Sequence, residues 1–291
     1  MSAITATKQR SIILLINPNR PDARAVAEQL CALLEPAGFV FYAPKESAIA
    51  GSRDLSLESS ADAEIAVVLG GDGTMLRGAE LVRDWEIPLL GINLGHVGFL
   101  AEVDKPSTAE IATAIIAKSY TKENRMLLSY EVERNEKVVT QGWALNEVTI
   151  ERNSSAMVQL FLQIDARPLS RWGCDGVICA TPTGSTAYAF SAGGPVVWPE
   201  VEALVLLPIS AHALFSRPMV VSPDSKIVID IESDEALLLG DSLRKFVLQK
   251  GDRVSITKDV KNIKLAHVNP SLFSDRLVAK FKLPIEGWRG E

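Results

Sequence analysis

The sequence predicts an α/β unit with a parallel sheet, joined to a mostly antiparallel, all-β C-terminal unit. Three observations predict it. Over roughly the first 120 residues, short unbroken apolar runs alternate with stretches of helical spacing, the pattern of a sheet covered on both faces. After about Asn124 that alternation gives way to short β-branched segments separated by polar turns. The chain has 291 residues and is 47% hydrophobic, enough to bury one large core or two ordinary ones.

The elements follow in order. Ile12 to Ile16, in "IILLIN", reads as the first strand, and Pro18 and Pro21 in "NPNRP" stop it and suit a helix start. From Asp22 to Glu35, Val26, Leu30, Leu33 and Leu34 recur at helical spacing, until Pro36 and Gly38 end the pattern. "FVFY", "EIAVVLG" and "PLLGIN" supply three more strands. Between the last two, Thr74 to Trp85 reads as a helix with Thr74 as its cap, and Ser107 to Lys118 as another, capped by Ser107 or Thr108. Beyond Asn124, "LLSYEVE", "EVTIE", "MVQLFLQI", "KIVIDIE" and "RVSITK" read as strands, and only Ser185 to Ser191 looks helical. The expected division is 1–123 for the α/β unit, 124–269 for the β-rich unit, and 270–291 for an amphipathic segment that packs back onto the first.

Composition narrows the function. The formal charge is −6 and no Lys/Arg-rich run occurs, so the electrostatic footprint of a nucleic-acid binder is missing. No apolar run approaches the ~20 residues needed to span a bilayer. With no small-residue cleavage site after the N-terminal apolar run, a cytoplasmic protein with no membrane partner is expected. Cys31, Cys174 and Cys179 form no CxxC pair, which leaves buried, reduced thiols.

The chemistry concentrates in loops. "VVLGGDGTML", Val67 to Leu76, places a glycine-rich turn, Gly70, Gly71, Gly73 and Thr74, between a buried strand and a helix, where ligands of α/β sheets bind. It is neither a GxxxxGK[ST] loop nor a complete GxGxxG fingerprint, because Leu76 stands at the third glycine. A phosphate cradle gains nothing from a carboxylate, yet Asp72 sits in this one. Two roles account for it: taking a proton from a substrate hydroxyl, or helping hold Mg²⁺ against a polyphosphate. Both are phosphoryl-transfer roles. The competing reading is a plain Asp-Gly hairpin turn, which the flanking strand and helix patterns disfavour.

A second loop, "GCDGVICATPTGSTAYAFSAGGP", crowds hydroxyls and small residues between Thr181 and Tyr188, good material for binding ribose, adenine or phosphate. Asn146-Glu147 lies within a strand pattern, where such a pair faces either solvent or a pocket and the pattern alone favours solvent, and His96 lies in a glycine-flanked loop. A hydrolase triad of Asp175, Ser185 and His212 is disfavoured, since no GxSxG elbow is present.

These pieces, "GGDGT", "NLGHVGFL", the "NE" pair and "DG…TPTGSTAY..SAGGP", resemble the NAD kinase family in order and spacing. The second loop and the closing "FSDRLVAKFKLPIEGWRG" resemble its actinobacterial branch. The resemblance implies a first unit like those of diacylglycerol kinase and phosphofructokinase. It also implies Mg²⁺-dependent transfer of a phosphoryl group from ATP or inorganic polyphosphate to the adenosine 2′-hydroxyl of NAD. On it, Asp72 is the proton acceptor, Gly73 and Arg77 lie near the substrate, and Phe99 sits beside the adenine. Asn146 and Glu147 take the ribose at the nicotinamide end, while Thr183, Thr186, Ala187, Tyr188 and Ser191 bind the rest of NAD. Asp175 corresponds to a residue that reaches an NAD held by a neighbouring subunit, which implies a homodimer or homotetramer. No residue is implied as a metal ligand, and none of the family's roles carries to Leu243. The rival readings are a lipid or sugar kinase of the same superfamily and a non-catalytic dinucleotide-binding regulator.

Overall fold

A computed structural model describes residues 9–56, 60–95, 98–101 and 106–285; His96 and the closing residues 286–291 lie outside the described residues. The chain divides into two compact units, one formed by 1–124 with 263–291 and the other by 125–262.

In the first unit, β1 (Ser11–Ile16), β2 (Val40–Ala43), β3 (Arg53–Asp54), β4 (Ile65–Leu69) and β5 (Leu89–Ile92) pair in the order β5-β4-β1-β2-β3. Every one of these pairings is parallel. Helices α1 (Pro21–Leu34), α2 (Asp72–Val82) and α3 (Thr108–Ala117) cover the sheet. Ala27 and Leu30 of α1 and Ile111 and Ile115 of α3 share one core with Ile12, Leu14, Val67 and Leu90, alternate residues of one sheet face. At ~1.5–3 kcal/mol for each large apolar side chain buried, this face is a main source of the unit's stability. On the other face α2 lies close: a Cβ at Gly78 would meet Val68 and Leu89 at 3.0 Å.

The helix start at the glycine turn differs from the sequence reading. Helix α2 begins at Asp72 with Gly71 as N-cap, so Thr74 lies inside the first turn and no side chain caps the helix. The physical reason is the tight exit from β4, which already sets Gly71 in extended backbone and brings the Thr74 and Met75 N–H groups to its carbonyl at 2.9 and 3.1 Å. Ser107 does cap α3, in a capping box with Glu110.

The chain leaves the first unit within β6 (Thr121–Arg134) and returns within β17 (Arg253–His267). Between them lie β7 (Lys137–Ala144), β8 (Glu147–Arg152), β9 (Val158–Ile164), β10 (Arg167–Cys174), β11 (Gly176–Ala180), the short helix α4 (Tyr188–Ser191), β12 (Leu204–Ile209), β13 (Met219–Val221), β14 (Ile227–Ile231), β15 (Glu235–Gly240) and β16 (Arg244–Gln249). One sheet runs β13-β12-β11-β8-β15-β16, entirely antiparallel, and β10-β9-β14-β17 is antiparallel as well. Val148, Ile150, Val177 and Leu206 of the first share a core with Leu160, Trp172, Ile229 and Val254 of the second. Helix α5 (Phe273–Phe281), beyond β17, belongs to the first unit.

All three cysteines are free and buried, and burial pushes the Cys174 and Cys179 thiols up to about 12.

Candidate functional site

The first unit carries the glycine turn. Gly70 ends β4 with its N–H on the Ile92 carbonyl, 3.1 Å away, and a Cβ there would run into the Thr74 hydroxyl. Only glycine fits. Asp72, the first helical residue, is fixed by backbone: its two carboxylate oxygens accept the N–H groups of Phe99 and Leu100, each at 3.1 Å. Gly98 lies so close to this carboxylate that any side chain would overlap it. Gly73 is exposed, with open space where a Cβ would stand.

The segment that anchors Asp72 is itself held from helix α5. Buried Arg276 donates through Nη1 to the Phe99 carbonyl at 3.2 Å and the Ala101 carbonyl at 2.7 Å. The buried Phe99 ring packs against Phe273 and Phe281, both at 5.8 Å between centroids. Thr74, Arg77 and Leu81, on one stripe of α2, line a cavity of about 310 Å³ with Leu15, Pro44 and Leu55. Leu15 is the one residue of β1 not fully buried, because this cavity opens over it. Arg20 of "NPNR" is engaged elsewhere, with the Asp22 carboxylate and the Leu94 carbonyl.

The second unit carries the other expected residues. Asn146 and Glu147, at the turn from β7 into β8, are buried rather than solvent-facing. Their backbone is clamped from two sides. The Thr181 N–H donates to the Asn146 carbonyl at 2.8 Å and its hydroxyl to the Leu145 carbonyl at 2.6 Å. From the β15–β16 hairpin, the buried Asp241 carboxylate accepts the N–H groups of Leu145 and Asn146 at 2.7 Å and of Glu147 at 3.3 Å. Gly184 sits against the Asn146 carbonyl where no Cβ could stand. Burial and then the neighbouring Asp241 push the Glu147 carboxyl up to about 8, with the Tyr188 N–H acting the other way. Its Oε2 has no hydrogen-bond partner among the described residues. These surroundings favour the neutral acid, with one polar atom unspent.

The hydroxyl-rich loop is built around structure as well as surface. Ser185 donates to the Pro182 carbonyl at 2.6 Å and accepts the Val197 N–H at 2.9 Å, which makes it a buried strut rather than a nucleophile. Thr186 donates to the Thr183 carbonyl at 3.2 Å, and buried Thr183 faces the Arg125 guanidinium at 3.4 Å. The Ala187 N–H bonds the Gly184 carbonyl at 2.9 Å, which leaves Tyr188 and Ser191 exposed on α4. Asp175 pairs with Arg152 at 2.8 Å and lines a cavity of about 540 Å³ with Glu151 and Tyr188. Pattern reading assigns no role to Asp241, Arg276, Gly98 or Gly184, although the last three lie inside recognisable segments, since each acts through a contact distant in sequence.

A parallel α/β unit with a carboxylate locked at a glycine turn, and a β unit with a hydroxyl-lined loop, have the parts of a phosphotransferase with a hydroxylated small-molecule acceptor. Residues 12–120 match the ATP-NAD kinase N-terminal domain, and residues 145–268 the ATP-NAD kinase C-terminal domain. The chain is 45% identical to the NAD kinase of Leifsonia xyli, with 97% of each covered, and 41% identical to that of Mycobacterium tuberculosis, with 98% and 100% covered. Among solved structures, yeast NADH kinase complexed with NADH superposes with a TM-score of 0.83 at 25% identity, covering 98% of this chain and 90% of that one. An NAD kinase from Archaeoglobus fulgidus in complex with ATP gives 0.72 at 25%, covering 94% and 98%. This chain belongs to the NAD kinase family.

Proposed function

We propose that, in the ATP-dependent phosphorylation of NAD to NADP that defines this family, Asp72 accepts the proton of the adenosine 2′-hydroxyl. The observation that carries this is the double backbone anchor on its carboxylate. A group held at both oxygens is aimed before substrate arrives, and in phosphoryl transfer positioning and charge neutralisation outweigh covalent help. The 2′-oxygen bonds the γ-phosphorus as the bond from phosphorus to the β–γ bridging oxygen breaks. That electron pair leaves with ADP, and the hydroxyl proton passes to Asp72. A carboxylate is a far weaker base than the alkoxide of a ribose hydroxyl, so the proton moves late, as the new bond to phosphorus makes the oxygen acidic.

The glycine turn would cradle the donor phosphates, with Arg77 at the rim of the adjoining cavity supplying positive charge in an acidic protein. Inorganic polyphosphate presents the same phosphate chemistry and is the alternative donor. Among the described residues, no group of three or more His, Cys, Asp or Glu side chains gathers to hold a metal. Mg²⁺ would come with the triphosphate, since this ion keeps several of its waters, and Asp72 would be the carboxylate of the turn to help hold it. When bound, it neutralises phosphate charge.

In the second unit, Asn146 and Glu147 would hold the nicotinamide-side ribose, and Thr183, Thr186, Ala187, Tyr188 and Ser191 the rest of NAD. The burial of Asn146, Glu147 and Thr183 in one clamped pair of loops, with Tyr188 and Ser191 exposed beside them, supports that reading. Phe99 takes part through its backbone N–H on Asp72, and its ring supports the turn. The protein is read as cytoplasmic.

The test is Asp72→Asn, followed with ATP, Mg²⁺, NAD and an NADP-specific dehydrogenase. Turnover should fall by about 10²–10⁴-fold while NAD affinity stays within a few-fold. Near-wild-type kcat would sink the assignment.

A further inference from the structure

The β15–β16 hairpin tip shares its left-handed backbone with the Asn135–Glu136 and Asp165–Ala166 tips, and adds a long-range contact. Asp241 and Ser242 both lie in the left-handed region, at φ 51° and 56°, where a two-residue hairpin turn favours Asn-Gly or Asp-Gly. Backbone held there by non-glycine residues is costly, and it persists where surrounding contacts over-determine it. Here the contacts are plain. The Asp241 carboxylate gathers the N–H groups of three successive residues, Leu145, Asn146 and Glu147, and the Asp241 N–H returns to the Glu147 carbonyl at 3.0 Å. Arg244, 3.6 Å from the carboxylate, donates to the Trp143 carbonyl at 2.8 Å and lies over the Trp143 ring at 3.9 Å from its centroid. One acid and one base thus bind both sides of the turn that presents the Asn146–Glu147 pair.

We propose that Asp241 is a positioning residue for the dinucleotide acceptor: its carboxylate, braced by Arg244, sets the 145–147 backbone and so aims the Asn146 and Glu147 side chains at NAD. The proposal rests on the acceptor-site reading of that pair. Asp241 touches no substrate itself. It acts on the acceptor side, because the contacts described for it, with Leu145, Asn146, Glu147 and Arg244, lie within the second unit.

Its charge has a second consequence. The groups acting on Glu147 are Asp241 from the hairpin, which Arg244 faces in turn, Glu151 from β8, and Tyr188 at the start of α4. Burial raises the Asp241 carboxyl too, yet both its oxygens accept N–H groups, the arrangement that favours the ionised form. Burial and the Asp241 carboxylate both disfavour a charge on Glu147, and so favour the O–H form that can donate to a ribose hydroxyl.

The experiment is Asp241→Asn in the full chain, with steady-state kinetics in both substrates from pH 6 to 9. The amide turns an NH₂ toward N–H donors in place of an acceptor. The NAD KM should rise tenfold or more, the ATP KM should stay within twofold, and the pH at which the NAD KM turns upward should move to lower values. An unchanged NAD KM, or NAD and ATP KM values rising together, would overturn the proposal. If Asp241→Asn does not fold, Arg244→Lys decides: it keeps the charge but loses the fork, so the NAD KM alone should rise about threefold or more, and no rise overturns the proposal. A wild-type chain that forms no NADP would instead remove the acceptor-site reading, before any variant is compared.

Discussion

Glu147 is a carboxyl whose surroundings decide its role. Burial and Asp241 raise it to about 8, so between ~4.5 and 8 the folded protein holds a proton that the unfolded chain has released. The stability this gives is full below the ordinary carboxylate value and is lost as pH rises through about 8. Glu147→Gln removes the titration, so its urea midpoint should gain on the wild type between pH 6 and 9, and NAD affinity at pH 6.5 should stay within about threefold. A variant that tracks the wild type across that range, or loses NAD affinity tenfold at pH 6.5, would show that Glu147 works as an anion. Reading the residues found Asp72, because a carboxylate in a phosphate-type loop is chemically odd on its face. The same reading favoured solvent for the Asn146–Glu147 pair, because a polar pair in a strand pattern says nothing of the Thr181 and Asp241 contacts that bury it. Asp241 itself sits in an ordinary turn sequence, and its importance is 95 residues away along the chain.

At the scale of elements, the strands and helices of the parallel sheet were legible because unbroken apolar runs and helical spacing are local signals. Helix starts were legible only where the cap is a side chain. Ser107 and Glu110 close a reciprocal box that a sequence can display, with the Ser107 N–H on Glu110 at 2.7 Å and the Glu110 N–H on Ser107 at 3.2 Å. Helix α2 starts from backbone geometry, which no side chain announces. Ser107→Ala should therefore cost about 1 kcal/mol in urea unfolding and leave kcat/KM within twofold, since α3 packs on the sheet face opposite the glycine turn's helix. A loss above about 3 kcal/mol, or a selective kinetic defect, would mean that α3 does more than cover the sheet.

At the scale of the molecule, Asp175 would make the protein a homodimer or homotetramer if it serves a neighbouring subunit. The fully exposed Leu214 and the exposed Phe215, side by side in one loop, are apolar surface of the kind such contacts cover. The prediction is complementation. Asp72→Asn and Asp175→Ala proteins, each impaired alone, should regain activity several-fold when subunits are exchanged, because one site of each mixed pair then has both native carboxylates. No gain on mixing, or a monomeric mass by light scattering, would rule out sharing.

The first unit is discontinuous in sequence, and this orders events during synthesis. Residues 125–262 are complete before Leu265 and Ala266, which pair with Leu89 and Leu90 beside β5, leave the ribosome. The segment that grips Asp72 waits longer still, for Arg276. The half of the protein that is made first is therefore finished last, and the nascent chain has a complete second unit well before it has an anchored Asp72 carboxylate. A premature stop between the end of β17 and α5 would leave every motif of the glycine turn in place and yet remove the brace that makes it work.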